Sequence, residues 1–285
     1  MNDKLSTNSS ELTTVLNAKG TLPQIPPDEL EFLKQYEGVG YSDKTEDGLT
    51  PILSILQDNS GEVKRNHERH MDEAESGMFI IRSLRKLYPG SPGILVQPFG
   101  FFHSLVEWTG DVGEGTPVGR FPFDDPPDDM IETADPQNPG KKVLRRRSSM
   151  NRLVDTREHY ANIIDGLDRP YPVVIPMSGS NHQASRLWTD MMRRMVYNGI
   201  KLPGFCRAYK LSTQFRKKGA NQTWYAFQVD PSERITDKEL LDMGATAARS
   251  LKETPLEGNL ADLATGEMDE THQTRTAAVD PASVI

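Results

Sequence analysis

Apolar residues in this chain come in short runs closed off by glycine or proline, and that spacing restricts the fold to a mainly β one. Residues 50–57 form one such run, 77–81 a second, 93–99 a third and 101–108 a fourth. Strand signals resume at residues 159–164 and 171–176. Residues 205–212 and 223–229 then read as a hairpin around a loop of lysine and glycine. Two stretches have helical spacing instead. Between Ser180 and Met195, the residues Ala184, Leu187, Met191, Met192 and Met195 share a stripe, with Ser180 as the expected cap. Between Thr236 and Leu251, the residues Leu240, Leu241, Ala247 and Leu251 do the same. Strand and helix do not alternate in a βαβ rhythm, so a doubly wound sheet is not expected. The predicted fold class is mainly β (α+β), an antiparallel barrel or sandwich with one internal helix and one C-terminal helix.

The organisation follows from composition. Residues 1–37 read as a flexible N-terminal segment, with one short helix expected near residues 28–36. Residues 38–230 form the β core. Within it, residues 109–140 carry Gly110, Gly113, Gly115 and Gly119 followed by a run of aspartates and prolines, and read as a long exposed acidic loop. Residues 231–285 hold the last helix and an acidic, disordered tail. The only cysteine is Cys206, so an internal disulfide is impossible and a thiolate metal cage is not expected. No apolar run approaches the roughly 18 residues of a spanning helix, and the N-terminus lacks the apolar core of a secretory signal. The expected setting is a reducing cytoplasm, with no membrane contact.

Charge is segregated along the chain. Residues 104–140 carry 1 basic and 9 acidic side chains, residues 141–225 carry 17 and 5, and residues 226–285 carry 5 and 12. Clustered cations are what phosphate-tracking recognition requires, because each neutralised phosphate releases counterions. Aromatic residues are interleaved with them, which suits a single strand whose bases stack on rings. Arg186, Trp188, Arg193 and Arg194 on the internal helix, and Tyr209, Lys210, Phe215, Arg216, Lys217, Lys218 and Trp224 on the hairpin, are the candidate nucleic-acid-binding residues. A lysine-rich hairpin also reads as a plain solvated turn, and Trp188 and Trp224 also read as core. The acidic tail could keep the protein soluble, compete for the basic groove, or recruit basic replication partners.

Catalytic patterns are weaker. His67-Glu68-Arg69-His70 lacks the i, i+4 histidine spacing of a zinc helix and reads as a surface helix. Ser178 to His182 joins a strand to a helix without the glycines of a nucleophile elbow, so capping is the simpler reading. A phosphate received at that helix start is the intermediate one. The aspartates at 124, 125, 128 and 129 fit solvated charge better than a cation site. Arg145-Arg146-Arg147 reads as a signal or a groove edge. No cofactor, no metal and no enzymatic activity are expected.

Three stretches carry a resemblance. They are Gly40-Tyr41-Ser42 through Pro51 to Gln57; Val96-Gln97-Pro98-Phe99 with Val106-Glu107-Trp108 and Val118-Gly119-Arg120; and Val174 to Ser178 with Ser185 to Trp188. Together they resemble a family of tailed-bacteriophage, replication-associated proteins assigned as single-stranded DNA-binding proteins. The resemblance covers roughly residues 38–229. It implies an OB-like barrel and a non-catalytic role in coating DNA during phage replication or recombination, in the host cytoplasm. The acidic loop 109–140 departs from the compact pattern expected of that family. The implied partners are single-stranded DNA and, through the acidic tail, phage replication proteins; a homo-oligomer is compatible with both. The alternative is a virion or assembly protein that uses the β core for subunit contacts.

Overall fold

The computed structural model describes residues 50–109, 117–135, 140–164, 170–219 and 222–253. The expected lead-in helix and the acidic tail lie outside the described residues. Two long antiparallel strands form the spine, β4 (Ile94–Trp108) and β8 (Arg152–Ile163). The apolar runs 93–99 and 101–108 are therefore one strand of 15 residues, not two. A register shift between Pro98 and Gly100 bends it without ending it. A side chain at Gly100 would meet Leu251 Cδ2 at 2.0 Å, so the bend also admits the C-terminal helix.

Each half of the spine has its own neighbours. Beside the first half of β4 lies β12 (Arg207–Lys218), itself paired with β13 (Gln222–Arg234). Beside the matching half of β8 lies β9 (Tyr171–Ser178). At the other half, β5 (Pro117–Pro122) pairs with β4, and β7 (Lys142–Arg146) pairs with β8 and with β6 (Met130–Ala134). A second antiparallel sheet joins β1 (Leu53–Ile55), β2 (Phe79–Ile81) and β3 (Lys86–Tyr88). A third joins only β10 (Val196–Tyr197) and β11 (Ile200–Lys201). Helix α1 spans His182–Arg193 and helix α2 spans Lys238–Glu253. The fold is mainly antiparallel β with two helices among the described residues, as the spacing of apolar runs indicates.

Strands β5, β6 and β7 were not legible in composition. The first two fall within the stretch expected as a loop, and β7 within the basic run. Their short alternation is hidden by glycines, prolines and charges, and what makes them strands is pairing with β4 and β8. Residues 62–72 form successive turns rather than the surface helix expected around His67 and His70. The His70 ring nitrogen Nδ1 lies 3.1 Å from the Glu62 carbonyl there.

The main core collects Leu53, Ile55, Phe79, Ile81, Val96, Ile163, Ile175, Tyr209, Leu211 and Trp188. The small sheet packs onto it, with Phe79 stacked on Phe227 at 5.8 Å. Ile52 bridges Val174 in parallel, which ties β1 to β9. At the other end, the Gln57 side chain donates to the Tyr225 carbonyl at 2.9 Å and accepts from its N–H at 2.8 Å. One amide thus does for β13 what a paired strand would do. The ladders among the described residues form an open sheet, and this side-chain seam is where β1 and β13 meet. Helix α2 is held through Gln97, wholly buried on β4, which donates to the Leu240 carbonyl at 2.8 Å and the Phe205 carbonyl at 3.1 Å.

Candidate nucleic-acid interface

Folding pairs some cations of the basic block that the linear charge map displays with acidic side chains of neighbouring strands and turns. Lys142 of β7 pairs with Glu132 of β6 at 2.6 Å. Arg146 pairs with Asp129 and, at 3.0 Å, with Glu107 of β4; its guanidinium also lies 5.0 Å from the Phe121 ring. Ser149 and Asn151 donate to the same Glu107 carboxylate. Ser148 and Arg146 hold the Asp129 carboxyl down to about 2, so it stays ionised and grips both. The acidic segment and the first basic run are thus adjacent, and Glu107, Asp129 and Glu132 meet Arg146 and Lys142 across them. Arg145, offered as a groove edge, donates to the Met150 carbonyl at 2.7 Å.

Six of the candidate cations remain available, on α1 and β12. Arg186, Arg193, Lys210, Arg216, Lys217 and Lys218 are exposed, and no ion pair holds them among the described residues. Arg194 pairs with Asp190 at 2.8 Å. The pleat then sorts the hairpin. Arg216 is the register partner of Trp224, and Lys218 that of Gln222, so these four share a face with Lys210. Phe215 is the partner of Tyr225, and Lys217 that of Thr223, on the opposite face. Phe215 is 52 % exposed and meets Tyr225 edge-on at 5.4 Å. The candidate residues of the hairpin are therefore divided between two faces.

Arg216 and Trp224 open onto a cleft of about 360 Å³ between β13 and the start of α1. Gln183, Ala184 and Leu187 form its helix wall, and Gln228 and Asp230 continue its floor. Leu187 is 52 % exposed there. Asn181 fixes the wall to the strand. It precedes the helix, but its side chain caps no helical N–H; its Oδ1 accepts from the Phe227 N–H at 3.0 Å. Ser180, expected as the cap, lines the cleft instead. At about 100° per residue, Arg194 shares the stripe of Gln183 and Leu187, two turns further on, while Arg186 and Arg193 share a different stripe.

Trp188 and Tyr209 are placed elsewhere. Both are fully buried. Trp188 stacks on His159 at 4.4 Å and tilts against Tyr209 at 5.9 Å, so neither ring offers a face to a base. The helical spacing put Trp188 next to exposed arginines, but position 188 falls on the core-facing stripe. Sequence reading also missed Gln183, Leu187 and Gln228, whose only signal is their position on elements that meet in space.

The histidine contacts gather on β8. His159 lies 2.8 Å from the Ser185 hydroxyl, but both are wholly buried. Burial, with Arg157 nearby, pushes the His159 imidazole down to about 3, so it is neutral. His182 lies against the Asp155 carbonyl at 3.1 Å, and His103 against the Asp155 carboxylate at 2.7 Å. These contacts tie α1 and β4 to β8. Asp124 and Asp125 are exposed in a turn. Among the described residues, no group of three or more His, Cys, Asp or Glu side chains could hold a metal ion.

A family model described as Pam3 phage gp34-like protein matches residues 20–257, most of the chain. The chain belongs to the Pam3 phage gp34-like protein family. It is a phage protein, as the three resembling stretches imply. The match takes in both helices and every described strand, and so includes the cleft between α1 and β13. No curated protein and no solved structure matches the chain.

Proposed function

We propose that this phage protein binds single-stranded DNA without catalysing a reaction on it, and coats the strand during replication or recombination. The observation that carries this reading is the Arg216–Trp224 pair, a cation and an indole side by side at the mouth of an open cleft. A base stacked on an aromatic ring and a phosphate on the neighbouring guanidinium is the usual pairing for sequence-tolerant strand binding. Lys210 and Lys218 flank the pair on the same face and extend the positive track along β12. Gln183 and Gln228 offer donors and acceptors to base edges. Asp230, the register partner of Lys210, is the acidic residue of the same face, and it lies toward the end of the track away from Arg216 and Lys218.

Replacing Trp224 with alanine is expected to weaken binding by about 1–3 kcal/mol, the usual value of one stacked base. Arg216→Ala is expected to weaken it too, and to lower the salt slope by about 0.7. Titration of a labelled oligothymidylate against each variant measures both. Unchanged affinity in both variants would remove the cleft as the site. Presence of the chain in purified particles, with no DNA affinity at low salt, would carry the assembly reading instead.

A further inference from the structure

Strands β10 and β11 form an isolated two-residue hairpin turned by Asn198 at φ 49° and Gly199 at φ 79°. Positive φ at both central positions is what this tight turn needs, and Asn-Gly supplies it at little cost. The residues it displays are unusual for a surface turn. Val196 is 60 % exposed, Tyr197 53 % and Ile200 67 %. Tyr197 and Ile200 are register partners and project to one side. The Arg234 guanidinium lies 4.8 Å from the Tyr197 ring centroid, at the far end of β13 from Trp224. Exposed Arg193 ends the helix before the hairpin, and exposed Lys201 closes it.

Among the described residues, β10 and β11 pair only with each other and leave Val196 and Ile200 exposed, the type of apolar surface that marks a contact site. Arg234 lies against the tip, Lys201 is the register partner of Val196 and Arg193 precedes the hairpin by three residues, a local excess of cations that favours a polyanion. The Tyr197–Arg234 pair also repeats the chemistry of the Trp224–Arg216 pair. Both place one aromatic residue beside one arginine, and both sit on β13 or against it. Ten residues of β13 separate Trp224 from Arg234, about 33 Å of extended chain.

We propose that the β10–β11 hairpin is a second contact for the same single strand, with a nucleobase stacked on Tyr197 and phosphates on Arg234, Lys201 and Arg193. This rests on the single-strand reading of the cleft. It adds that the strand runs the length of β13, from the Trp224 cleft to the hairpin, so full affinity needs a strand long enough to reach both.

The test uses the full chain with Tyr197→Ala, Tyr197→Phe and Arg234→Ala. Tyr197 is exposed, and unchanged thermal melts would establish that the variants fold. Binding is measured with labelled oligothymidylates of about 4 and about 20 nucleotides, bracketing the usual range for one strand-binding fold. Tyr197→Ala is expected to weaken the longer strand about 5- to 100-fold, the equivalent of one lost stack. Tyr197→Phe keeps the ring and is expected to stay within about 3-fold of the parent. Arg234→Ala is expected to lower the salt slope for the longer strand by about 0.7. The shorter strand should lose less than the longer one in Tyr197→Ala. If the parent binds and Tyr197→Ala binds both strands equally well, the hairpin proposal is overturned and the cleft reading stands. If the parent itself binds no strand, the cleft reading fails first. If Tyr197→Ala instead splits a dimer in sedimentation and leaves DNA affinity intact, the hairpin joins two copies of this chain and the proposal is overturned.

Discussion

At the residue scale, several polar groups are wholly buried, and each has a measurable consequence. His159 is held between the Phe101 and Trp188 rings and contacts only Ser185 through its Nε2. Its imidazole is pushed from the ordinary 6.5 to about 3, by burial first and by Arg157 second. Below about pH 6.5 the unfolded chain takes up a proton that the folded chain refuses. Stability is therefore expected to fall as pH drops from 6.5 toward 3, at up to about 1.4 kcal/mol per pH unit from this group. Urea titrations across that range, with the parent and with His159→Phe/Ser185→Ala, check it; the double variant should lose that part of the slope. Arg120 and Glu158 make a second such case, 2.7 Å apart, the Glu158 side chain wholly buried and that of Arg120 nearly so, with Ser104 donating to the same carboxylate. Burial pushes the Glu158 carboxyl up, and Arg120 pulls against it. Arg120→Met strands the carboxylate and is expected to cost about 3–5 kcal/mol, less at acid pH where Glu158 takes a proton. Equal destabilisation at pH 4 and pH 7 would contradict that pairing. None of this was legible in the sequence. The Val-Gly-Arg stretch drew notice as part of a resemblance, but only the β4–β5 and β4–β8 ladders show that Arg120 meets Glu158.

At the scale of elements, sequence reading did well where an element announces itself locally. The β12–β13 hairpin, the helix around Trp188 and the C-terminal helix lie where periodicity put them, because each is long and regularly patterned. It failed where the element depends on a partner. β5 and β6 read as loop and β7 as a basic signal, since their charges are satisfied only across the sheet. It also passed over β10–β11, although Asn198-Gly199 is the strongest short hairpin signal a sequence carries. The site divides in the same way. Charge and aromatic content pointed to the hairpin, yet only the register shows that Arg216 and Trp224 share a face while Phe215 and Lys217 occupy the other. One backbone position shows how tightly these elements are fitted. Gly93 begins β4 at φ 95°, and a side chain there would meet the Leu211 carbonyl at 2.4 Å. Gly93→Ala is expected to destabilise the fold by about 1–3 kcal/mol through backbone strain and the clash with β12. A thermal melt matching the parent's would show that β4 and β12 are not locked together there.

At the scale of the whole molecule, the chain carries a net charge of −8 and is proposed to bind a polyanion. The two are compatible because charge is sorted by the fold. Glu132 of β6 pairs with Lys142 of β7, Glu107 and Asp129 hold Arg146, and Arg186, Arg193, Lys210, Arg216, Lys217 and Lys218 of α1 and β12 are left on the surface. Each phosphate neutralised on this cationic track would release counterions, so the proposed binding is expected to weaken steeply as salt rises. The central claim is that this exposed cationic and aromatic track binds single-stranded DNA. The most direct measurement is a fluorescence titration of a labelled oligothymidylate with the full chain at low and at moderate salt. Binding at micromolar protein in low salt, falling steeply as salt rises and reduced in Trp224→Ala, is the predicted result. No binding at micromolar protein in low salt would contradict it.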